Sequence, residues 1–345
     1  MQQPSTTTST RPVQHSVAID EVTGLRERGF AQGLLSSQPF WVTVALVAIC
    51  LVMSYLQPEA FATYDNFYNI TRNFAFVGLM ALGMTAVILT GGIDISVGSI
   101  MGLVGVVCGV ILEAEQHWSL AVIGGLAAGA LAGAVNGALV AYAGLPSFVV
   151  TLGMLSIARS LAVVLSGNRM IYEFGPYGEA FNGIGGGELM GVANPVWALL
   201  LLTLVFGFVF NFTAWGRYLY AIGGNENAAR LTGVPVDRIK LQAYMVSGLM
   251  AGLAGILIVG WQGSAINALG VGYELRTIAS TVIGGANLMG GEGGAFGAFV
   301  GAALIEVIRN SLLMAGVDSN WQGAFVGLFI VLAVLLQRIR GKRSA

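Results

Sequence analysis

Charged residues are scarce in this chain. Only 10% of its 345 residues are Asp, Glu, Lys or Arg, against about 25% in ordinary soluble domains. A water-soluble chain of this length could not cover its surface with so few charges, whereas a lipid environment removes that requirement. The formal net charge of -1 also excludes a strong overall field that would attract nucleic acid.

Cysteine and histidine, which build disulfides and most zinc sites, are nearly absent as well. The two cysteines, Cys50 and Cys108, lie in apolar runs, which predicts small core side chains rather than a disulfide. The only histidines are His15 and His117, so we expect no zinc site. The sequence has no H-E-x-x-H, G-x-S-x-G or P-loop motif. We therefore expect neither an enzyme nor a chain that binds ATP itself.

Apolar residues dominate the chain, at 56% of the sequence with a mean hydropathy of +0.78. A bilayer core requires about 20 apolar helical residues per span. The sequence predicts an all-α integral membrane protein, a bundle of about ten transmembrane helices with broken helices among them. The predicted spans are 40–57, 73–91, 95–112, 119–143, 147–166, 194–213, 241–262, 274–290, 293–316 and 321–337.

Basic residues indicate the topology. Most of the 16 Lys and Arg residues lie in the N-terminal segment, in the loop 214–240 and at the C-terminus. Because positive charge concentrates on the cytoplasmic side, these three segments are predicted to be cytoplasmic. We expect a disordered N-terminal tail (1–38) without a signal peptide, a transmembrane domain (39–338) and a basic tail (339–345). The predicted location is the bacterial inner membrane.

Glycine is unusually abundant, with 50 residues against only 8 prolines. In two predicted spans it recurs at every fourth position, a spacing that lets helix backbones approach closely. We interpret these ridges as helix packing and assign them no substrate role. They comprise Gly125, Gly129, Gly133 and Gly137 in one span, and Gly293, Gly297 and Gly301 in the other.

A short sequence occurs twice, once in each half of the chain. Residues 91–98 read GGIDISVG and residues 284–291 read GGANLMGG. A double glycine breaks a helix, and Asp94 or Asn287 could then cap the helix that follows. Matched interruptions in two halves of a transporter often lie on the substrate path. On the predicted helix count the two copies run in the same direction.

Several polar residues lie within or beside the apolar spans, where each requires a partner or a function. Glu306 and Arg309 are three residues apart and can pair on one helix. Asp94 fits either a helix cap or a functional carboxylate, and Arg159 is a candidate for lining a polar cavity. The predicted translocation-path residues are Asp94, Ser96, Asn136, Thr151, Arg159 and Asn287. Each could instead bond a neighbouring helix.

The loop 214–240 predicts a helix of about two turns between two spans. Asn225 is a favourable N-cap, and Glu226 suits the first turn and can pair with Arg230 at i,i+4. Gly233 then occupies the position after the C-cap, and Pro235 follows it. An isolated helix this short is only marginally stable in water. A docking partner would therefore explain its presence.

These residues carry a family resemblance. Ala228-Ala229-x-x-x-Gly233 resembles the coupling-loop motif of ATP-binding-cassette importer permeases. Asn227 stands where that motif has Glu, a departure similar to the branch that imports ribose, arabinose and xylose. GGIDISVGSIMGL at 91–103, LPSFVVTLGML at 145–155 and the stretch 274–295 also resemble that branch. The resemblance extends from about residue 40 to residue 338 and does not specify one sugar.

The resemblance implies a transport subunit without chemistry of its own. Two copies would form the pore, a periplasmic binding protein would deliver a monosaccharide or polyol, and transport would proceed by alternating access. A cytoplasmic ATPase with two nucleotide-binding halves would bind ATP and Mg and grip the loop helix. The implied coupling residues are Asn225, Glu226, Ala228, Ala229, Arg230 and Gly233.

Two other function classes remain open at this point. An ion-coupled secondary transporter would require an intramembrane carboxylate, and Asp94 or Glu306 could serve as that carboxylate. A membrane-embedded enzyme would require a nucleophile or metal cluster at working spacing, which the sequence lacks. The capped loop helix favours the importer, because a self-contained carrier does not need it.

Overall fold

The computed structural model describes residue 35, residues 37–318 and scattered positions between 321 and 331. The chain divides into two units, residues 1–37 and residues 38–345, and the helices described below all lie in the second. The predicted tails lie outside the described residues, apart from Leu35, Ser37 and Gln38 in the first. The predicted last span, 321–337, is described only at scattered positions.

The described part of the second unit is mostly helical. Its helices are α1 (Gln38–Leu56), α2 (Tyr64–Leu89), α3 (Val97–Glu113), α4 (Trp118–Ala141), α5 (Ser147–Leu165), α6 (Gly178–Gly186), α7 (Asn194–Phe212), α8 (Ala214–Gly224), α9 (Glu226–Leu231), α10 (Val236–Gln262), α11 (Tyr273–Ile283) and α12 (Ala295–Met314). A 3₁₀ turn (Gly175–Tyr177) and an antiparallel hairpin of β1 (Glu188–Leu189) and β2 (Val192–Ala193) lie between α5 and α7.

Seven of the described helices are long and apolar enough to cross a membrane: α1, α2, α4, α5, α7, α10 and α12. Helix α3 is apolar but shorter, with 17 residues. These helices confirm a multi-pass membrane protein. The predicted number of ten spans is not confirmed by the part of the chain that the structure describes.

The predicted span 274–290 differs most from the structure. Helix α11 has 11 residues, which at about 1.5 Å per residue reaches only about half of a bilayer core. It ends at Ile283 because the next residues are Gly284 and Gly285, and Gly285 has a φ of +106°, which ordinary side chains disfavour. The segment is therefore a half-length helix followed by an irregular break.

Helices α2 and α10 form the centre of the bundle. In their apolar windows 89% and 72% of the residues are buried, against 11% for α1 at the periphery. Helix α2 begins where the Thr63 side chain accepts a hydrogen bond from the backbone N–H of Asn66 (3.3 Å), and it ends before the Gly91–Gly92 pair. Its long apolar run therefore lies in the protein interior rather than in lipid.

The first glycine ridge packs α4 against α10, as predicted. A Cβ at Gly129 would lie 2.5 Å from the carbonyl oxygen of Gly248, and a Cβ at Gly133 would overlap that of Tyr244. In the second ridge, Gly297 and Gly301 likewise face α11, whereas Gly293 lies in the break before α12 rather than on the helix. Only glycine permits these backbone contacts.

Candidate functional site

The break between α2 and α3 contains a buried carboxylate. Asp94 is fully buried, and its Oδ1 accepts hydrogen bonds from the backbone N–H (3.0 Å) and the hydroxyl (2.5 Å) of Ser96. Its Oδ2 accepts from the Ser247 hydroxyl of α10 at 2.8 Å. The Asn136 amide of α4 donates to the Ser96 hydroxyl at 2.9 Å. We call Asp94, Ser96, Asn136 and Ser247 the polar cluster.

The first turns of α5 attach to the same break. The Ser147 hydroxyl accepts a hydrogen bond from the backbone N–H of Ile93 at 3.3 Å. The Thr151 hydroxyl donates to the Ser147 carbonyl at 2.9 Å and lies 3.4 Å from that of Ile93. Thr151 therefore adjoins the polar cluster, so four of the six predicted path residues are gathered around one break.

Asp94 does not act only as a helix cap, which is one of the two roles that the sequence allows. The N-cap of α3 is Ser96, whose side chain makes no capping bond, while the Asp94 carboxylate joins the start of α3 to α10. Sequence reasoning missed Ser247, because a lone serine in an apolar span carries no motif. A buried carboxylate requires several donors to offset lost hydration, and Ser247 is one of them.

The second break, between α11 and α12, has the same local turn. The Asn287 Oδ1 accepts a hydrogen bond from the backbone N–H of Met289 at 3.0 Å, two residues later, as Asp94 does from Ser96. Asn287 does not cap the next helix, however, because α12 begins only at Ala295, after Gly294. The expected cap is wrong here since this break is longer than the first.

The two breaks lie side by side. The backbone N–H of Gly291 donates to the carbonyl oxygen of Leu89 at 3.1 Å, and a Cβ at Gly290 would lie 2.9 Å from the Gly91 nitrogen. Both incoming helices, α2 and α11, therefore end on the same side of the bundle, so the two copies run in the same direction, as predicted.

Arg159 lies apart from the polar cluster. Its Nη1 donates to the carbonyl oxygens of Leu269 (2.8 Å) and Asn267 (3.2 Å). It thereby ties α5 to the loop that precedes α11. Glu306 is buried and pairs with Arg309 at 3.0 Å, which confirms the predicted pair on α12.

The loop helix has the predicted local geometry. The Asn225 Oδ1 accepts a hydrogen bond from the backbone N–H of Ala228 at 2.9 Å and caps α9. Gly233 follows the C-cap with a φ of +86°, and the backbone N–H of Val234 donates to the Ala229 carbonyl at 3.0 Å. This C-terminal motif requires a left-handed residue, which glycine supplies without strain.

Ion pairs fix α9 against the start of α10. Arg230 contacts Asp237 at 2.7 Å and Glu226 at 3.3 Å, and Lys240 contacts Glu226 at 2.6 Å. Burial alone would raise the pKa of Glu226, but Lys240 and Arg230 outweigh it and lower that pKa. A cavity of about 420 Å³ lies beside these charges and reaches the first break at Gly91.

The lowered pKa of Glu226 has a consequence for pH. A carboxylate whose pKa is lowered by folding contributes stability above its unfolded pKa and loses it as the pH falls through the folded pKa. The clamp between α9 and α10 should therefore hold at neutral pH and weaken only in acid.

Comparisons with known proteins agree with this architecture. The model of a family described as the permease component of the branched-chain amino acid transport system matches residues 66–334. The chain belongs to this permease family. The ribose import permease of Escherichia coli (strain K12) is 40% identical over 294 residues, 85% of this chain and 91% of the relative. No solved structure matches.

Two further relatives also bear the names of sugar permeases. The D-allose transport permease of Escherichia coli (strain K12) is 34% identical and covers 88% of this chain and 91% of its own length. The L-arabinose transporter permease of Azospirillum brasilense is 32% identical and covers 87% of each chain. These relatives are transport proteins rather than enzymes, and the family is a membrane one, as the apolar helices require.

The hydrogen bonds of Asp94 predict the effect of its replacement on the permease. Asp94→Ala would leave the two Ser96 donors and the Ser247 hydroxyl without their acceptor, at about 1–3 kcal/mol for each group left unsatisfied. Asp94→Asn retains an acceptor for Ser96 and nearly the same shape. We expect a clearly lower Tm in detergent for Asp94→Ala than for Asp94→Asn. Equal melting temperatures would contradict the assigned hydrogen bonds.

Proposed function

We propose that this permease is the membrane subunit of an ATP-driven importer that carries a monosaccharide of the ribose type, or a related polyol, across the bacterial inner membrane. The observation that carries the proposal is its 40% identity to a ribose import permease over 85% of the chain. Two copies form the pore, and both termini are cytoplasmic. A periplasmic binding protein delivers the sugar, and the bundles alternate between outward-open and inward-open states.

The energy comes from a separate ATPase in this proposal. That partner binds ATP and Mg in its two nucleotide-binding halves, and each half grips the α9 of one permease copy. Helix α9 suits such docking because its ends are capped, its charges are clamped to α10 and Leu231 is 90% exposed. On this proposal, an apolar groove of the ATPase receives the exposed Leu231 of this six-residue helix.

The polar cluster supports the second part of the proposal, the passage of an uncharged polyhydroxylated solute. Ser96, Asn136 and Thr151 offer hydroxyl and amide groups of the kind that exchange hydrogen bonds with sugar hydroxyls. They adjoin a break that lies beside its counterpart from the other half of the chain. On this proposal, movement of the breaks exposes these groups to the sugar during transport.

An ion-coupled carrier is the less favoured function. Such a carrier requires a carboxylate that can change partners during transport. Asp94 is held by Ser96 and Ser247, and Glu306 by Arg309. The relatives, which are named as an ABC transporter permease, an import permease and a transport system permease, give this alternative no support.

Reconstitution tests the proposal directly. The permease would be co-expressed with a candidate ATPase and binding protein from the same organism, placed in proteoliposomes and supplied with radiolabelled ribose, D-allose or L-arabinose. We expect uptake of at least one of these sugars that requires internal ATP and the binding protein. Uptake that follows a proton or sodium gradient without ATP would instead establish the carrier.

A further inference from the structure

Helix α8 connects directly to the loop helix. It begins after Thr213, whose hydroxyl accepts a hydrogen bond from the backbone N–H of Gly216 (3.2 Å), and it ends at Gly224. The next residue, Asn225, is the N-cap of α9. A displacement of α9 therefore acts on the C-terminal end of α8 with only one residue between the two helices.

The last turn of α8 packs against both helix breaks through Gly223. A Cβ at this position would overlap the carbonyl oxygen of Leu89 and the backbone nitrogen of Gly291, and would lie 2.9 Å from the carbonyl carbon of Gly290. In turn, a Cβ at Gly290 would lie 2.7 Å from the Gly223 Cα. Three backbones thus meet here without an intervening side chain.

Tyr220 provides a second attachment, three residues earlier on the same face of α8. Its hydroxyl donates to the carbonyl oxygen of Gly293 at 2.9 Å. Leu219 and Ile222 of the same helix are buried, so α8 is seated firmly in the bundle. The helix that leads to α9 therefore holds the second break by a hydrogen bond and both breaks by direct backbone contact.

We propose that Gly223 is the positioning residue through which displacement of α9 moves the two helix breaks together. The inference rests on the proposed function, because it assumes that an ATPase moves α9. Close-packed backbone transmits displacement with little slack, and the Leu89–Gly291 hydrogen bond keeps the two breaks in register. A side chain at Gly223 would separate α8 from the breaks while leaving the surface of α9 unchanged.

The neighbouring glycine supplies a matched control. A Cβ at Gly224 would meet nothing within 4 Å, and alanine is the better helix former at both positions. We expect Gly223→Ala complexes in proteoliposomes to bind the ATPase and hydrolyse ATP, but to import at least about tenfold less sugar per ATP than wild type, since backbone overlap cannot relax cheaply. Gly224→Ala complexes should retain the wild-type ratio.

A milder variant keeps the test decisive if Gly223→Ala fails to assemble. Tyr220→Phe removes only the hydroxyl that donates to Gly293, and we expect sugar imported per ATP to fall about two- to fivefold, the scale of one hydrogen bond. Tyr218→Phe on the same helix is its control.

The two proposals fail in different ways. If both Gly223→Ala and Tyr220→Phe import as much sugar per ATP as wild type, the inference about α8 is overturned. The proposed importer function would still stand. A wild-type complex that shows no ATP-dependent uptake would instead contradict the proposed function itself.

Discussion

A leucine at Gly133 should abolish accumulation of the folded permease. Gly133 faces α10 so closely that even a Cβ would overlap the carbonyl oxygen of Tyr244 and lie 3.0 Å from the Cα of Met245. Overpacking a core with side chains that can shift costs about 1–3 kcal/mol. Here the obstacle is backbone, which can yield only if α4 and α10 separate, so the cost should exceed that range and approach the whole stability of the bundle.

The control for this prediction is Gly207→Leu on α7. A Cβ at Gly207 would meet nothing within 4 Å, so the same change in hydrophobicity and volume occurs without a clash. Fluorescence-detected size exclusion of tagged variants in mild detergent would provide the measurement. We expect a wild-type peak for Gly207→Leu and an aggregated or missing peak for Gly133→Leu. A normal peak for Gly133→Leu would mean that α4 and α10 are not packed through this ridge.

Much of the fold is predictable from the sequence because lipid imposes simple rules on span length and composition. The long apolar runs correspond to helices, and the ridge at Gly129 and Gly133 identifies close helix contact before any partner helix is known. The half-length α11 is not predictable in the same way. Its apolar character continues through Gly284 and Gly285, so hydropathy alone extends the span. The double glycine is a sequence signal for a break, and the positive φ at Gly285 shows that the helix stops there.

The candidate site is predictable only where the chemistry is local. Asn225, Gly233 and the pair of Glu226 with Arg230 are set by spacing along one short segment, and their geometry follows from it. The contact of Ser247 with Asp94 joins residues 153 positions apart, and no periodicity indicates it. The path residues predicted from the sequence therefore include only part of the polar cluster. They also include Arg159, which instead bonds to the loop that precedes α11.

Reversing the charge of residue 230 should sharply weaken association with the proposed ATPase partner. Arg230 bonds both oxygens of Asp237, at 2.7 and 3.0 Å, and also contacts Glu226. In Arg230→Asp three carboxylates would adjoin at the junction of α9 and α10, and like charges so close are destabilising. We expect α9 to leave its position, and the amount of ATPase retained by tagged permease in a pull-down to fall about tenfold or more.

A charge swap separates two reasons for that loss. If Arg230 acts by fixing α9 to α10, Arg230→Asp combined with Asp237→Arg should re-form the pair and restore most of the retained ATPase, and Asp237→Arg alone should be as defective as Arg230→Asp. If the guanidinium of Arg230 itself contacts the ATPase, the swap should stay defective even though α9 is fixed again. Full retention in both single variants would contradict the view that this ion pair holds α9 in place for docking, because the exposed face around Leu231 would then suffice alone.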